Sequence, residues 1–206
     1  MPVHPLLRYA VFALALALMG CDPATTGQNL HEISVLKGAI TVAAPQGYCI
    51  DKKASVAVGS ATVLLIGRCN DQGKVAAAVV TLTIGGPASA GVLVAGPKAL
   101  AEFFASDAGR KVLARDGDPD HVQLVQTQTA GRGLLLHLRD QVAGDYWRAI
   151  TAIKGRLVTI SASGVAGAPL TPAQARALVT DTLALLDKRN GIKPTDTKSP
   201  PASASR

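Results

Sequence analysis

Two nearly continuous apolar runs, Ala61 to Arg68 and Val75 to Ile84, are the feature that most limits what this chain can fold into. Both are rich in β-branched residues, and Asn70-Asp71-Gln72-Gly73 joins them, so they read as paired strands. Their scarcity of polar interruptions predicts central strands buried on both faces. A chain containing such a pair must supply further strands and helices to cover it, and the remaining sequence can be read as that cover.

Before the pair, Ile33 to Leu36 and Ala39 to Ala43 flank Lys37-Gly38 and predict a first hairpin, followed by the turn Pro45-Gln46-Gly47 and the strand-like Tyr48-Cys49-Ile50. After it, Gly85-Gly86-Pro87 breaks the second run and Gly91 to Ala95 reads as another short strand. Gly96-Pro97 then opens a helix with Pro at its first position, expected to reach about Arg115. Leu100, Phe104, Ala108 and Val112 recur every four residues with Phe103 beside them, which places the Phe pair in the core. Ser106, a capping residue type, and Gly109 are where this helix would divide into two.

Beyond the turn Asp116-Gly117-Asp118-Pro119-Asp120, Val122 to Thr129 and Leu134 to Asp140 predict a hairpin. Trp147 to Ile153 and Leu157 to Ser163 predict another, whose turn Lys154-Gly155-Arg156 should present both basic side chains to solvent. The last helix has the clearest start: Thr171 as N-cap, Pro172 at the first position and Gln174 as capping-box partner. Its stripe of Ala175, Leu178, Val179, Thr182 and Leu186 runs to about Lys188. The fold class is α+β: a mostly antiparallel sheet with one middle helix and one C-terminal helix packed on it. The element order over roughly residues 33 to 188 resembles the Mog1/PsbP-like sandwich. The likeness is carried by Pro45-Gln46-Gly47-Tyr48, by Trp147-Arg148-Ala149-Ile150 with Gly155-Arg156-Leu157, and by Ser161-Ala162-Ser163 before a capped helix. That resemblance implies a noncatalytic accessory role, as in many relatives, and assigns no binding residue.

The first residues carry a different message. A basic head, Met1 to Arg8, precedes an apolar stretch from Tyr9 to Met19, too short for the roughly 20 apolar residues that a membrane-spanning helix needs. It ends in Leu18-Met19-Gly20-Cys21, which resembles the lipobox of bacterial lipoproteins. The resemblance implies that residues 1–20 are a cleaved signal peptide and that Cys21 is lipidated. It places the protein in the bacterial cell envelope, on the periplasmic side, with the membrane as a partner through the lipid. Residues 21–32 then read as a tether, 33–189 as a single domain, and 190–206, poor in large apolar groups, as a disordered tail. With Cys21 assigned to lipid, Cys49 and Cys69 remain. In an oxidising compartment they are expected to pair, two free thiols being the alternative.

Charge and aromatic content narrow the function classes. The net charge of +7 falls to about +4 for the folded part once Arg8, Lys193, Lys198, Arg206 and Asp196 are set aside. Basic residues never cluster beyond pairs such as Lys52-Lys53, and only three Phe, three Tyr and one Trp are available for stacking, so nucleic-acid binding is excluded. His31, His121 and His137 lack the mutual spacing of a metal triad. His31 falls in the tether, and His137 lies in an apolar strand where a structural role is expected. Asp116, Asp118 and Asp120, with His121, are the densest potential ligand set. Gly117 and Pro119 break the Ca²⁺-loop pattern and no Glu follows at the closing position, so an acidic solvated turn is the plainer reading and no metal or cofactor is expected.

Catalytic signatures are equally sparse. Gly86-Pro87-Ala88-Ser89-Ala90-Gly91 fails the nucleophile-elbow spacing, and Gly96-Pro97-Lys98 is not a phosphate loop. The expectation is a noncatalytic envelope lipoprotein that binds another envelope protein or assists assembly. The alternative is a small-ligand-binding or hydrolytic protein with a site near Asp116–His121 or around Tyr48 and Trp147.

Overall fold

The two apolar runs become neighbours inside a seven-stranded antiparallel sheet in a computed structural model of the chain, which describes residues 30–70 and 74–193. The strands are β1 (Glu32–Val35), β2 (Ile40–Ala43), β3 (Tyr48–Val58), β4 (Ala61–Arg68), β5 (Ala78–Ile84), β6 (Val122–Ala130), β7 (Gly133–Asp140), β8 (Gly144–Ile153) and β9 (Arg156–Gly164). The helices are α1 (Gly96–Ala105), α2 (Asp107–Leu113) and α3 (Pro172–Arg189). The large sheet runs β3-β4-β5-β9-β8-β7-β6, and β1-β2 form a separate hairpin. The predicted α+β class, a mostly antiparallel sheet carrying helices, is the class observed.

The two faces of the sheet are covered unequally. On one face α3 packs on β8, β9 and β2, enclosing Ile66, Val80, Leu82, Ile160 and Leu186 in the larger core. On the other, α1 rests on β6 and β7, α2 on β6, and a 3₁₀ segment, Ser89–Ala95, on β8 and β9, around Leu136, Leu138, Leu113 and Phe104. Two-sided burial therefore falls on β7 and β8, whereas β4 and β5 alternate buried and half-buried residues. The expectation that the Ala61–Arg68 and Val75–Ile84 runs are buried on both faces is corrected: helices cover the far half of the second face and leave Val63, Leu65, Val79 and Thr81 partly open.

Local departures have identifiable causes. Gly91–Ala95, expected as a strand, belongs to the 3₁₀ segment, anchored where Ser89 Oγ accepts from Leu157 N at 2.9 Å. The middle helix divides at Ser106, whose extended backbone ends α1 and whose hydroxyl accepts from Gly109 N at 3.2 Å to cap α2. That break turns the second half of the predicted stripe outward, leaving Ala108 exposed and Val112 68% exposed. Within α1 the expectation that the Phe pair is core is corrected: Phe104 is buried, but Phe103, one position round the helix, is 43% exposed. The β8–β9 turn leaves Lys154 exposed, as expected, but Arg156 is half-buried, and both side chains are engaged. Lys154 Nζ donates to Ala39 O at 2.7 Å, and Arg156 donates to Ser60 O and Gly85 O at 2.7 and 2.8 Å, stitching three turns together.

The ends of the domain are tied in. Leu30 O and His31 O, both expected in the tether, accept from Ile50 N and Ala44 N at 2.7 and 2.8 Å. Asn190, expected to begin the tail, exchanges two hydrogen bonds with the backbone of Thr41 at 3.1 and 2.8 Å, and Arg189 pairs with Glu32 at 2.8 Å. The α3 start matches its signals: Thr171 Oγ1 accepts from Gln174 N at 3.2 Å while Thr171 N donates to Gln174 Oε1 at 2.9 Å, and all five stripe residues are buried. A cap of this kind contributes about 1 kcal/mol.

Candidate functional site

Of the residues singled out from sequence, Asp116, Asp118 and Asp120 form a turn that satisfies itself. Asp116 accepts from Asp118 N at 3.0 Å and meets His121 Nδ1 at 2.6 Å, while Asp118 caps the short 3₁₀ turn by accepting from Asp120 N at 3.0 Å. The contact with His121 is the main reason the Asp116 carboxyl sits below its ordinary range, and it also raises the His121 imidazole. The partner that the Asp116 carboxylate meets is the histidine. An open groove of about 310 Å³ lies alongside, but Arg110 there spends its donors on Pro119 O, Ala105 O and Asp107, so it is bound into the structure.

Tyr48 and Trp147 do not share a cleft. They lie on β3 and β8, with β4, β5 and β9 between them, and both are buried in the larger core. Tyr48 donates its hydroxyl to Ala76 O at 2.8 Å. Trp147 stacks on His137 at 4.8 Å between centroids, with the Arg176 guanidinium 5.4 Å from its own centroid. Cys49 and Cys69 form a disulfide joining the start of β3 to the residue after β4. His31 lies beside it, its Nδ1 3.1 Å from Tyr48 O, and one nitrogen of its ring and the two sulfurs fall within 4.8 Å of one another. The sulfurs are bonded to each other and offer no thiolate to a metal. Cys21 lies outside the described residues.

The structure brings together a group of residues that the sequence reading passed over. Where the helical layer stops, the end of α2 and the exposed half of the sheet make a step enclosing a cavity of about 180 Å³. Its floor follows from strand register: Thr81 on β5 faces Ser161 on β9, which faces Arg148 on β8, and side chains directly opposite one another share a face. Tyr146 and Ser163 also line it, and Arg115 closes the wall just beyond α2.

Arg148 is the centre of this site. Its Nε donates to Ser161 Oγ at 3.0 Å and its guanidinium carbon lies 5.4 Å from the centroid of the Tyr146 ring. Among the described residues no carboxylate pairs with it, and none lines the cavity. A guanidinium has five donors, and Nε is the one on Arg148 that has a hydrogen-bond partner among the described residues. Asp140 positions Arg115: buried at the end of β7, it accepts from Arg115 N at 3.2 Å and from Val142 N and Ala143 N at 2.7 and 2.8 Å.

The chemistry available is recognition. Ser161 receives its hydrogen bond from an arginine, which cannot take a proton from it, so it is not an activated nucleophile. Burial raises the Tyr146 phenol, a shift that nearby Arg148 only partly opposes, and its hydroxyl donates to Leu113 O at 3.4 Å. The phenol stays protonated at neutral pH. The arrangement offers hydroxyls and two guanidinium groups to a hydrogen-bond acceptor or an anion.

One signal could have found it. In Tyr146-Trp147-Arg148-Ala149-Ile150 the period of two sends Trp147 and Ala149 to one face and Arg148 to the other between two large side chains, an unusual place for a charge. Ser161-Ala162-Ser163 carries the matching alternation, with both serines on Arg148's side.

The molecule is thus an α+β protein with a basic, hydroxyl-lined pocket at the margin of its helical layer. No protein-family model matches the chain, and no curated protein matches it. Its backbone is similar to that of a solved mutant of the protein Mog1, with a TM-score of 0.48 and 14% sequence identity, over 79% of this chain and 95% of that one. No residue here takes a role from that likeness.

Proposed function

We propose that the protein is a lipid-anchored envelope lipoprotein whose α+β domain acts without catalysis, as a protein-interaction or assembly-accessory module. The observation that carries this reading is the half-open second face of the sheet, over β3, β4 and β5, where Val63, Leu65 and Val79 border hydroxyl-bearing Thr81 and the Arg148 step. Aliphatic and polar groups interleaved on a rigid strand surface suit contact with another protein. The anchor rests on Leu18-Met19-Gly20-Cys21. A photo-crosslinking side chain at Leu65, in the native membrane, is expected to capture one discrete partner, and the same probe at exposed Ala184 on α3 is not. No adduct specific to Leu65 would overturn the interaction reading. Membrane association unchanged by Cys21→Ser would overturn the anchor.

A further inference from the structure

We infer that the pocket at the margin of the helical layer is a carboxylate-recognition site, receiving an acidic side chain presented by the partner that lies along the open half-face. This rests on the interaction reading above and adds the chemistry that the partner must carry. Three observations lead to it. Arg148 is half-buried on an inner strand with no carboxylate beside it, although taking a guanidinium partly out of water is costly without an anion. Its orientation is fixed from two sides, by Ser161 Oγ at 3.0 Å and by the Tyr146 ring, so its outer nitrogens are held ready without further ordering cost. Arg115 adds a second positive charge on the same cavity, while Thr81 and Ser163 supply hydroxyls.

The cavity admits a carboxylate, and the geometry of the guanidinium favours one. The cavity holds about 180 Å³, room for a side-chain carboxylate together with part of the segment that carries it. A planar fork matches a carboxylate with two parallel hydrogen bonds. The aliphatic floor of Val63, Leu65 and Val79 continues from the pocket under the backbone of an approaching segment. The partner's recognition element is therefore an acidic residue flanked by apolar ones.

The test uses the full lipidated chain in detergent micelles, followed by NMR, with N-acetyl-aspartate N-methylamide as the probe and inorganic phosphate and the matching asparagine compound as comparisons. The expected result is saturable shifts at Arg148 Nε and around Tyr146 with the aspartate probe only. Affinity should fall at least about tenfold in Arg148→Gln and several-fold in Arg115→Gln, with Arg148→Lys intermediate. Arg115 is exposed, so its variant remains informative should Arg148→Gln fail to fold. Absence of saturable shifts in the wild type overturns the inference, as does equal response to the asparagine compound or a preference for phosphate.

The Leu65 crosslink separates this inference from the reading on which it rests. An adduct that persists undiminished in folded Arg148→Gln and Arg115→Gln overturns the carboxylate site while the interaction surface stands. Probe binding with no Leu65 adduct overturns the partner-borne carboxylate and leaves a site for a free small acid. An adduct lost in both variants supports the inference.

Discussion

Asp140 shows how one buried carboxylate can organise two elements. Burial is the strongest influence on it and pushes its carboxyl up, yet N–H donors from Ala143, Val142 and Arg115 together outweigh that and hold it below the ordinary carboxylate value. A lowered folded value means that its contribution is fully present above the unfolded-state value and is lost as pH falls through the folded one. Asp140→Ala would orphan three backbone donors and should destabilise the protein by about 2–3 kcal/mol in urea titrations at neutral pH. The wild-type advantage over Asp140→Asn should shrink on acidification; an advantage that grows would contradict this account. Asp116 and His121 are the exposed counterpart. The histidine is raised and the aspartate lowered, so their pairing persists between those two values, fading above the first and below the second. In an NMR titration His121 should titrate above its ordinary value and move back toward it in Asp116→Asn.

At the scale of elements, the helical layer is governed by a close approach. Gly109 begins the body of α2 directly against the end of α1, and a Cβ there would run into the Phe103 carbonyl oxygen and come within 2.6 Å of Phe104 Cα. Replacing a helical Gly by Ala normally stabilises by up to about 1 kcal/mol. Here Gly109→Ala should instead destabilise by about 1–3 kcal/mol in thermal or urea unfolding, because backbone must move. A stabilised variant would show that the two helices separate freely. This same contrast explains what could be read from sequence. The α3 start was legible because Thr171, Pro172 and Gln174 act on one another within one turn. The hairpins were legible because alternation and turn residues are local. Which face of β4 and β5 stays open was not, because it depends on how far a separately folded layer reaches. The pocket was hidden for the same reason: Thr81, Ser161, Arg148 and Arg115 meet only through strand order and the end of α2.

For the whole molecule, unequal layering is the organising fact. One face of the sheet is sealed by α3 and the β1-β2 hairpin, and the other is sealed only over β6 to β9. The Cys49–Cys69 disulfide reinforces the less-covered side by linking β3 to the end of β4, across a sequence separation of 20 residues. A loop of that size is worth about 3 kcal/mol in the chain-entropy treatment. Reduction, or Cys49→Ser with Cys69→Ser, should lower unfolding free energy by about that amount, and hydrogen exchange should quicken first in β3 and β4. Uniform quickening across all seven strands would show instead that the sheet opens as one unit.

The pairing of Arg189 with Glu32 and of Asn190 with Thr41 makes the path of the chain nearly circular. Its first and last described segments leave from a single corner. Loss of the Arg189–Glu32 pair or of the Asn190–Thr41 bonds would therefore loosen the first hairpin and the end of α3 together.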